Sequence, residues 1–317
     1  MTGESHTKIG IAGIGSALPR AAEDARPAAP LVPSAESTLF TGGRTRAVLA
    51  PGEIAEDLAV AACRRALEEA GVPAAQVDLL TGYVTVSEFL TPNGLFRVHR
   101  DLELGRPTMV VPVNAEFGTF VMALAFAWES MRAGRFATAL VAVAANWSRH
   151  VDPRNPHAAL IGDGAGAAVL RRSSRMVVVD WICDTDSAEY GAMTMAGRPD
   201  GVDRPTYRIE PDSGVAAFRS TGMDGPPHLI HRLLHRNDVP PREVTVIGHQ
   251  ASDVLLGHWR KRLRPARVLD TLSRHGNLVI ASPAVTLDAY AGRIDTPYLV
   301  LFGLGIGSYQ IATLIRM

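Results

Sequence analysis

Few cysteines, no net charge and no long apolar run mark this chain, and each absence excludes a class of protein. Two cysteines, Cys63 and Cys183, stand in 317 residues. They cannot build a disulfide framework, and no Cys-x-x-Cys or other cluster suggests a zinc site, so no metal is expected. The 32 basic residues are balanced by 32 acidic ones, which leaves no electrostatic footprint for a polyanion; no nucleic-acid partner is expected. No apolar run approaches the ~18 residues of a membrane span. The polar stretch Met1 to Lys8, with Glu4, lacks the basic and apolar regions of a secretory signal. A reducing, cytoplasmic setting without a membrane is the expectation. The most informative absence is local. In Val110-Val-Pro-Val-Asn-Ala-Glu-Phe-Gly-Thr-Phe-Val-Met-Ala-Leu124 an apolar run breaks at a small polar turn and restarts with helical spacing. It reads as a buried strand, an elbow at Asn114 to Gly118 and a helix, the arrangement in which enzymes place a nucleophile near free N–H groups. The elbow offers Glu116 and Phe117, with no Cys or Ser between them.

What is present alternates strands and helices. Ile9 to Gly15 reads as a strand, Arg20 to Ser37 as a Pro/Ala-rich loop, and Glu53 to Ala70 as a helix ending at Gly71. The turn Val72-Pro-Ala-Ala-Gln-Val77 then leads to the strand Leu79 to Val86. A second copy follows: the helix Leu229 to Arg236, the turn Val239-Pro-Pro-Arg-Glu-Val244 and a strand from Thr245. Ala133-Gly-Arg135 before the strand Thr138 to Ala144 likewise matches Ala291-Gly-Arg293 before Tyr298 to Phe302. Ordered repetition predicts a duplicated α/β fold, divided at 1–172 and 173–317, with Asn114 and Asn277 at equivalent turns facing one shared site.

Several motifs fall at the expected sheet ends. Gly162-Asp-Gly-Ala-Gly-Ala-Ala-Val-Leu170 lacks the strand and helix that frame a dinucleotide loop, so its glycines are read as close packing. His249, in Gly248-His-Gln-Ala251, ends a predicted strand, where open α/β sheets place sites. Asn277 follows a predicted strand and a glycine, either as a site residue or as a helix cap. Glu116 is either a general base or a cap for free N–H groups. Arg260-Lys-Arg-Leu-Arg264 is a basic cluster on a neutral chain, either a solvated face or a dock for an acidic carrier.

Six stretches in order resemble the β-ketoacyl-ACP synthase III branch of the thiolase superfamily. They are Thr41-Gly-Gly-Arg-Thr-Arg46, Val113 to Phe120, Gly162 to Leu170, Gly248 to Ala251, Arg274-His-Gly-Asn277 and Gly303-Leu-Gly-Ile-Gly307. The resemblance implies a five-layered αβαβα thiolase sandwich of two duplicated halves, usually a homodimer. It further implies that His249 and Asn277 promote decarboxylation and hold a thioester carbonyl, and that Gly305 and Ile306 help form an oxyanion hole. The family acylates a cysteine in Asn-Ala-Ala-Cys-x-Gly-Phe; here Phe117 occupies that place and cannot be acylated. Val254 stands where the family has an arginine contacting coenzyme A, and the adenine-binding tryptophan before the Thr-Gly motif is not found. These departures favour the phosphopantetheine arm of an acyl carrier protein over coenzyme A as substrate carrier, with no other cofactor. Arg44, Lys261 and Arg262 are the candidate docking cations. The expected function is a ketosynthase III-like acyltransferase in specialised polyketide or fatty-acyl metabolism. It would act by transfer, cyclisation or decarboxylation without an acyl-enzyme, with Glu116 as base. The alternatives are an inactive partner subunit in a heterodimer with an active ketosynthase, or a carrier-binding protein.

Overall fold

The computed structural model describes residues 8–26, 38–196 and 205–317. In chain order the first part holds β1 (Ile9–Ala17), a hairpin of β2 (Ala21–Asp24) and β3 (Thr45–Val48), α1 (Ala55–Ala70), β4 (Leu79–Thr85), α2 (Leu95–Asp101), β5 (Met109–Pro112), α3 (Thr119–Arg132), β6 (Ala139–Ala145) and β7 (Gly164–Arg172). The second part holds β8 (Val177–Thr185), a ribbon of β9 (Met193–Ala196) and β10 (Thr206–Ile209), α4 (Ser213–Ala217), α5 (Gly225–Arg236), β11 (Val244–Ile247), α6 (Asp253–Leu263), β12 (Arg267–Leu269), α7 (Leu272–His275), α8 (Ser282–Tyr290), β13 (Tyr298–Gly305) and β14 (Tyr309–Arg316).

The strands line up as β12-β11-β13-β14-β8-β1-β7-β6-β4-β5. Read outward from the β8–β1 seam, the two sets have the same order and the same directions. In each, the two outer pairs are parallel and the inner pairs antiparallel. The seam is a single registered pair, Gly10 with Val177. Helices α3 and α8 touch strands of both sets, α1 and α2 cover the first set, and α5 covers the second with α6 beside it. The result is the layered αβαβα thiolase-like architecture. The repeated Val-Pro turns both close as single 3-10 turns, at 74–76 and 241–243.

Burial explains the sequence of the middle layer. A helix covered by a sheet on both sides has no face to leave polar, and α3 buries Phe120, Val121, Ala123, Leu124, Ala127 and Trp128. β6, flanked on both sides and covered on both faces, is buried throughout. Gly71, at φ 61°, ends α1 as its position predicts.

Two expectations need correction. The strand leading into the elbow is not fully buried: among the described residues β5 pairs only with β4 and is an edge, so Met109 is half-exposed and Pro112 exposed. Between those two residues, Val110 and Val111 are half-buried and pack against the cores on either face. The stretch from Arg20, read as loop, contains β2, whose pairing with β3 is a two-strand contact too short to leave a periodicity; residues 27–37 lie outside those described.

The elbow is pinned by a close approach between the halves. A Cβ on Gly303 of β13 would sit 2.5 Å from the Cα of Gly118. Gly303→Ala should therefore push the elbow outward and cost about 1–3 kcal/mol, seen as a lower urea midpoint at unchanged slope. An unchanged midpoint would show that this contact does not hold the elbow.

Candidate active site

The elbow is held by its own side chains. Asn114 Oδ1 accepts from the Glu116 N–H (3.0 Å), and Thr119 Oγ1 donates to the Glu116 carbonyl (2.6 Å) while accepting from the Ala115 N–H (3.0 Å). These bonds keep Glu116 at φ 47°, a left-handed conformation costly for a residue with a side chain. Consecutive side chains then diverge. Phe117 lines an internal cavity and Glu116 does not. The Glu116 carboxylate instead accepts from the Asn114 amide (3.2 Å), with burial raising its pKa and that amide opposing the rise. This is neither of the two roles read for it: the carboxylate caps no backbone N–H of the helix and does not line the cavity.

His249 reaches the same cavity from the second half, two residues beyond β11. Its neighbour Gln250 fixes the loop by accepting from the Thr271 N–H (2.9 Å) and donating to Thr286 Oγ1 (2.5 Å). The imidazole is 2% exposed and lies parallel to the Phe117 ring, with centroids 4.9 Å apart and planes 8° apart. Phe117 in turn meets Trp147 and Tyr207 edge to face. Stacking covers the face of the imidazole and leaves its in-plane nitrogens for other partners; Nδ1 is buried without one among the described residues.

Asn277 is 6% exposed and also lines the cavity. The residue before it is Gly276, at the end of helix α7 rather than of a strand, so the expected context was wrong. Nor does Asn277 cap a helix. Its Oδ1 accepts from the Val279 N–H (3.0 Å), an Asx-type turn that leaves the amide N–H groups as the part free to donate. The backbone is clamped on both sides: its N–H donates to the Leu160 carbonyl (2.7 Å) and its carbonyl accepts from the Gly162 N–H (2.9 Å).

The other motifs serve that clamp. Arg46 donates to the carbonyls of Ala158 and Ile161, and Thr45 Oγ1 to the carbonyl of Arg274. Asp163, fully buried, accepts from the N–H groups of Leu49 and Ser148 and from the Ser148 hydroxyl. The glycine-rich run holds Asn277 in place and strand β7 against α8, in line with its packing reading. Gly305, Ile306 and Gly307 form the far wall of the cavity, which encloses about 760 Å³ of empty space, its open mouth included.

Sequence reasoning missed several polar residues lining the cavity, Tyr309 and Glu189 among them. Tyr309 follows the glycine turn; its hydroxyl is buried without a partner and its pKa is raised by burial. Glu189 sits in the turn after β8 and belongs to no motif, so no signal pointed to it. The candidate docking cations Arg44, Lys261 and Arg262 are exposed and outside the cavity, the latter two in the last turn of α6. Among the described residues no group of three or more His, Cys, Asp or Glu is gathered as metal ligands would be, and no helix is long and apolar enough to cross a membrane.

A duplicated thiolase-like sandwich with an elbow, a histidine and an asparagine around one buried cavity defines the ketosynthase class. Residues 112–187 match the family model for 3-oxoacyl-[acyl-carrier-protein] synthase III. A β-ketoacyl-[acyl-carrier-protein] synthase III of Gloeobacter violaceus is 30% identical over 94% of this chain and 95% of its own length. One of Hyphomonas neptunium is 31% identical over 87% and 88%. The crystal structure of the FabH synthase III of Pseudomonas aeruginosa superposes with TM-score 0.84 at 25% identity, covering 98% of each chain. A priming β-ketosynthase from a polyketide biosynthetic pathway has the same fold, with TM-score 0.85 at 23% identity over 98% and 97%. The chain belongs to the β-ketoacyl-[acyl-carrier-protein] synthase III family.

Burial pushes the His249 imidazole down to about 4 from an ordinary 6.5, against an opposing backbone hydrogen bond at Val279. The unfolded chain takes up this proton near pH 6.5 and the folded chain only near pH 4. Stability should therefore fall as pH drops through that window, by roughly 3 kcal/mol from this group, and be insensitive to it above. An NMR titration should show His249 neutral at pH 6, with a raised pKa in Phe117→Ala; titration near 6.5 in the native protein would contradict the burial account.

Proposed function

We propose that the protein acts on an acyl thioester borne on the phosphopantetheine arm of an acyl carrier protein, without an acyl-enzyme. The observation that carries this reading is the pairing of a buried His249 with a clamped Asn277 on one cavity, with Phe117 where the resemblance puts the nucleophile. Donors fixed in a dry site favour an oxygen on which negative charge develops. Decarboxylation of a carboxyacyl thioester needs such donors and no nucleophile. The bond to the carboxylate breaks, carbon dioxide leaves, and the electron pair enters an enolate whose oxygen is held by Asn277 and His249. The enolate carbon then takes a proton from water, which completes decarboxylation, or attacks the carbonyl of an acceptor thioester whose thiolate leaves, which gives transfer or cyclisation. Gly305 and Ile306 complete the wall around the carbonyl. Arg44, Lys261 and Arg262 steer the acidic carrier; the latter two lie roughly 9–11 Å along α6 from its cavity-lining Leu255. Coenzyme A is the alternative carrier. Specialised polyketide or fatty-acyl metabolism is the setting, since the priming condensation through a cysteine is closed to this chain.

Assembly supports a second reading. The unpaired edge β5, with Met109, lies in the same half as the exposed Phe89 and Leu90, and an open apolar edge invites a second subunit. A homodimer fits the catalytic reading; a heterodimer with a cysteine-bearing ketosynthase fits an inactive, pocket-shaping subunit, which the Phe117 stack on His249 favours.

Incubation with malonyl- or acyl-loaded carrier protein, followed by the mass of the carrier, separates the two. Turnover should fall about 10²–10³-fold in His249→Ala and Asn277→Ala, and stay within about twofold in Glu116→Gln, whose carboxylate is turned from the cavity. No turnover with any loaded carrier, together with copurification of a cysteine-bearing homologue, would sink the catalytic reading. Phe117→Cys, if acylated by a loaded carrier, would show that the cavity admits the pantetheine arm.

A further inference from the structure

The cavity has a polar pole that the chemistry above does not use. Glu189 lies on its wall, in the turn between β8 and β9. Its Oε1 accepts from Ser220 Oγ (2.8 Å), and its Oε2 from Thr221 Oγ1 (2.8 Å) and Ser308 Oγ (2.5 Å). These donors come from the helical turn before α5 and from the β13–β14 turn, so the carboxylate is held from two sides. All three are neutral hydroxyls, and among the described residues no Lys, Arg or His pairs with it. The charge acting on it from its own turn is Asp186, also negative.

Burial alone would raise this carboxyl, but the hydroxyls of Ser308, Thr221 and Ser220 together hold it below the ordinary carboxylate range. Among the described residues the carboxylate, held on the ionised side by these hydroxyls, has no counter-ion. Three hydroxyls occupy three of its roughly four lone-pair directions, which leaves one for a ligand. The wall around the cavity is otherwise largely apolar and aromatic, with Phe40, Met193, Tyr207, Ile209 and Phe218. An alkyl chain laid along that wall would strip the remaining water from the carboxylate and give nothing back. A ligand carboxylate would be repelled. A protonated amine would supply the missing charge, and the aromatic rings offer faces that favour a cation.

We propose that the cavity accepts an acyl group carrying a protonated amine, with Glu189 as its counter-ion. This assignment rests on reading the cavity as an acyl-thioester site and names the class of acyl group that it selects.

Calorimetric binding of pantetheine thioesters tests it, using chains of equal length that end in an ammonium, a hydroxyl or a methyl group. The intact protein should bind the ammonium chain at least about 10-fold more tightly than the methyl or the hydroxyl chain. That preference should shrink to within about twofold in Glu189→Gln, which keeps the shape and removes the charge. It should persist in Ser308→Ala, which removes one hydroxyl and keeps the charge, and in His249→Ala. A methyl chain bound as tightly as the ammonium chain, a hydroxyl chain bound more tightly, or a preference untouched by Glu189→Gln would overturn the proposal. The comparison on the native protein needs no variant, so a misfolded Glu189→Gln would not shield it. Ammonium selectivity in binding with no turnover of any thioester would remove the catalytic reading and leave the Glu189 assignment. Turnover with no selectivity would do the reverse.

Discussion

The stacked rings of Phe117 and His249 are the contact on which the rest of this molecule depends. One ring comes from the elbow of the first half and the other from the loop after β11 in the second, and they lie 4.9 Å apart. For them to meet, α3 and α8 must sit between the two sets of strands, Gly118 must lie against Gly303, and Gln250 must tie its loop to α7 and α8. The fold brings the elbow before α3 and the turn before α8 to one cavity, and the aromatic pair ties that elbow to the loop after β11. Phe117, where the resemblance puts the family's cysteine, is part of a packed aromatic wall with Trp147 and Tyr207.

That replacement changes what the remaining groups can do. A histidine beside an ionisable cysteine can exchange a proton with it; one buried and stacked on a phenylalanine lacks that partner, and burial favours its neutral form. A neutral imidazole and a clamped carboxamide are donors and acceptors of fixed geometry, suited to holding an oxygen rather than to activating a nucleophile. The polar groups on the facing wall, Glu189 and Tyr309, belong to recognition rather than to bond breaking in this account. Under that proposal the cavity is more than the remnant of an acylation site, since among the described residues the Glu189 carboxylate has no counter-ion.

Much of the fold was legible because its signals are local. The glycine that ends α1, the Val-Pro turns that close as 3-10 turns and the apolar faces of α3 and β6 are dictated by nearby residues. The two halves repeat them in the same order. What escaped the sequence is set by distant neighbours. Val110 and Val111 look like core strand but belong to an edge, because only the sheet order decides which strand lacks a partner. Glu116 and Phe117 are adjacent, yet one lines the cavity and the other turns away. The cause is a left-handed residue that Asn114 and Thr119 hold in place, and nothing in the spacing betrays it. His249 and Asn277 could be named from their motifs, though the helix before Asn277 and its clamp to the Gly162 strand entry could not. Glu189 has no motif at all; its partners lie about 30 residues away at Ser220 and Thr221 and 119 residues away at Ser308.

The central claim is that this cavity works on a thioester without becoming acylated. The mass of the intact protein, followed during turnover of a malonyl-loaded carrier labelled in its free carboxyl, tests it most directly. The account predicts labelled carbon dioxide and a protein whose mass never changes. A protein that gains the mass of an acyl group during turnover would contradict it, and so would a carrier whose malonyl group stays intact.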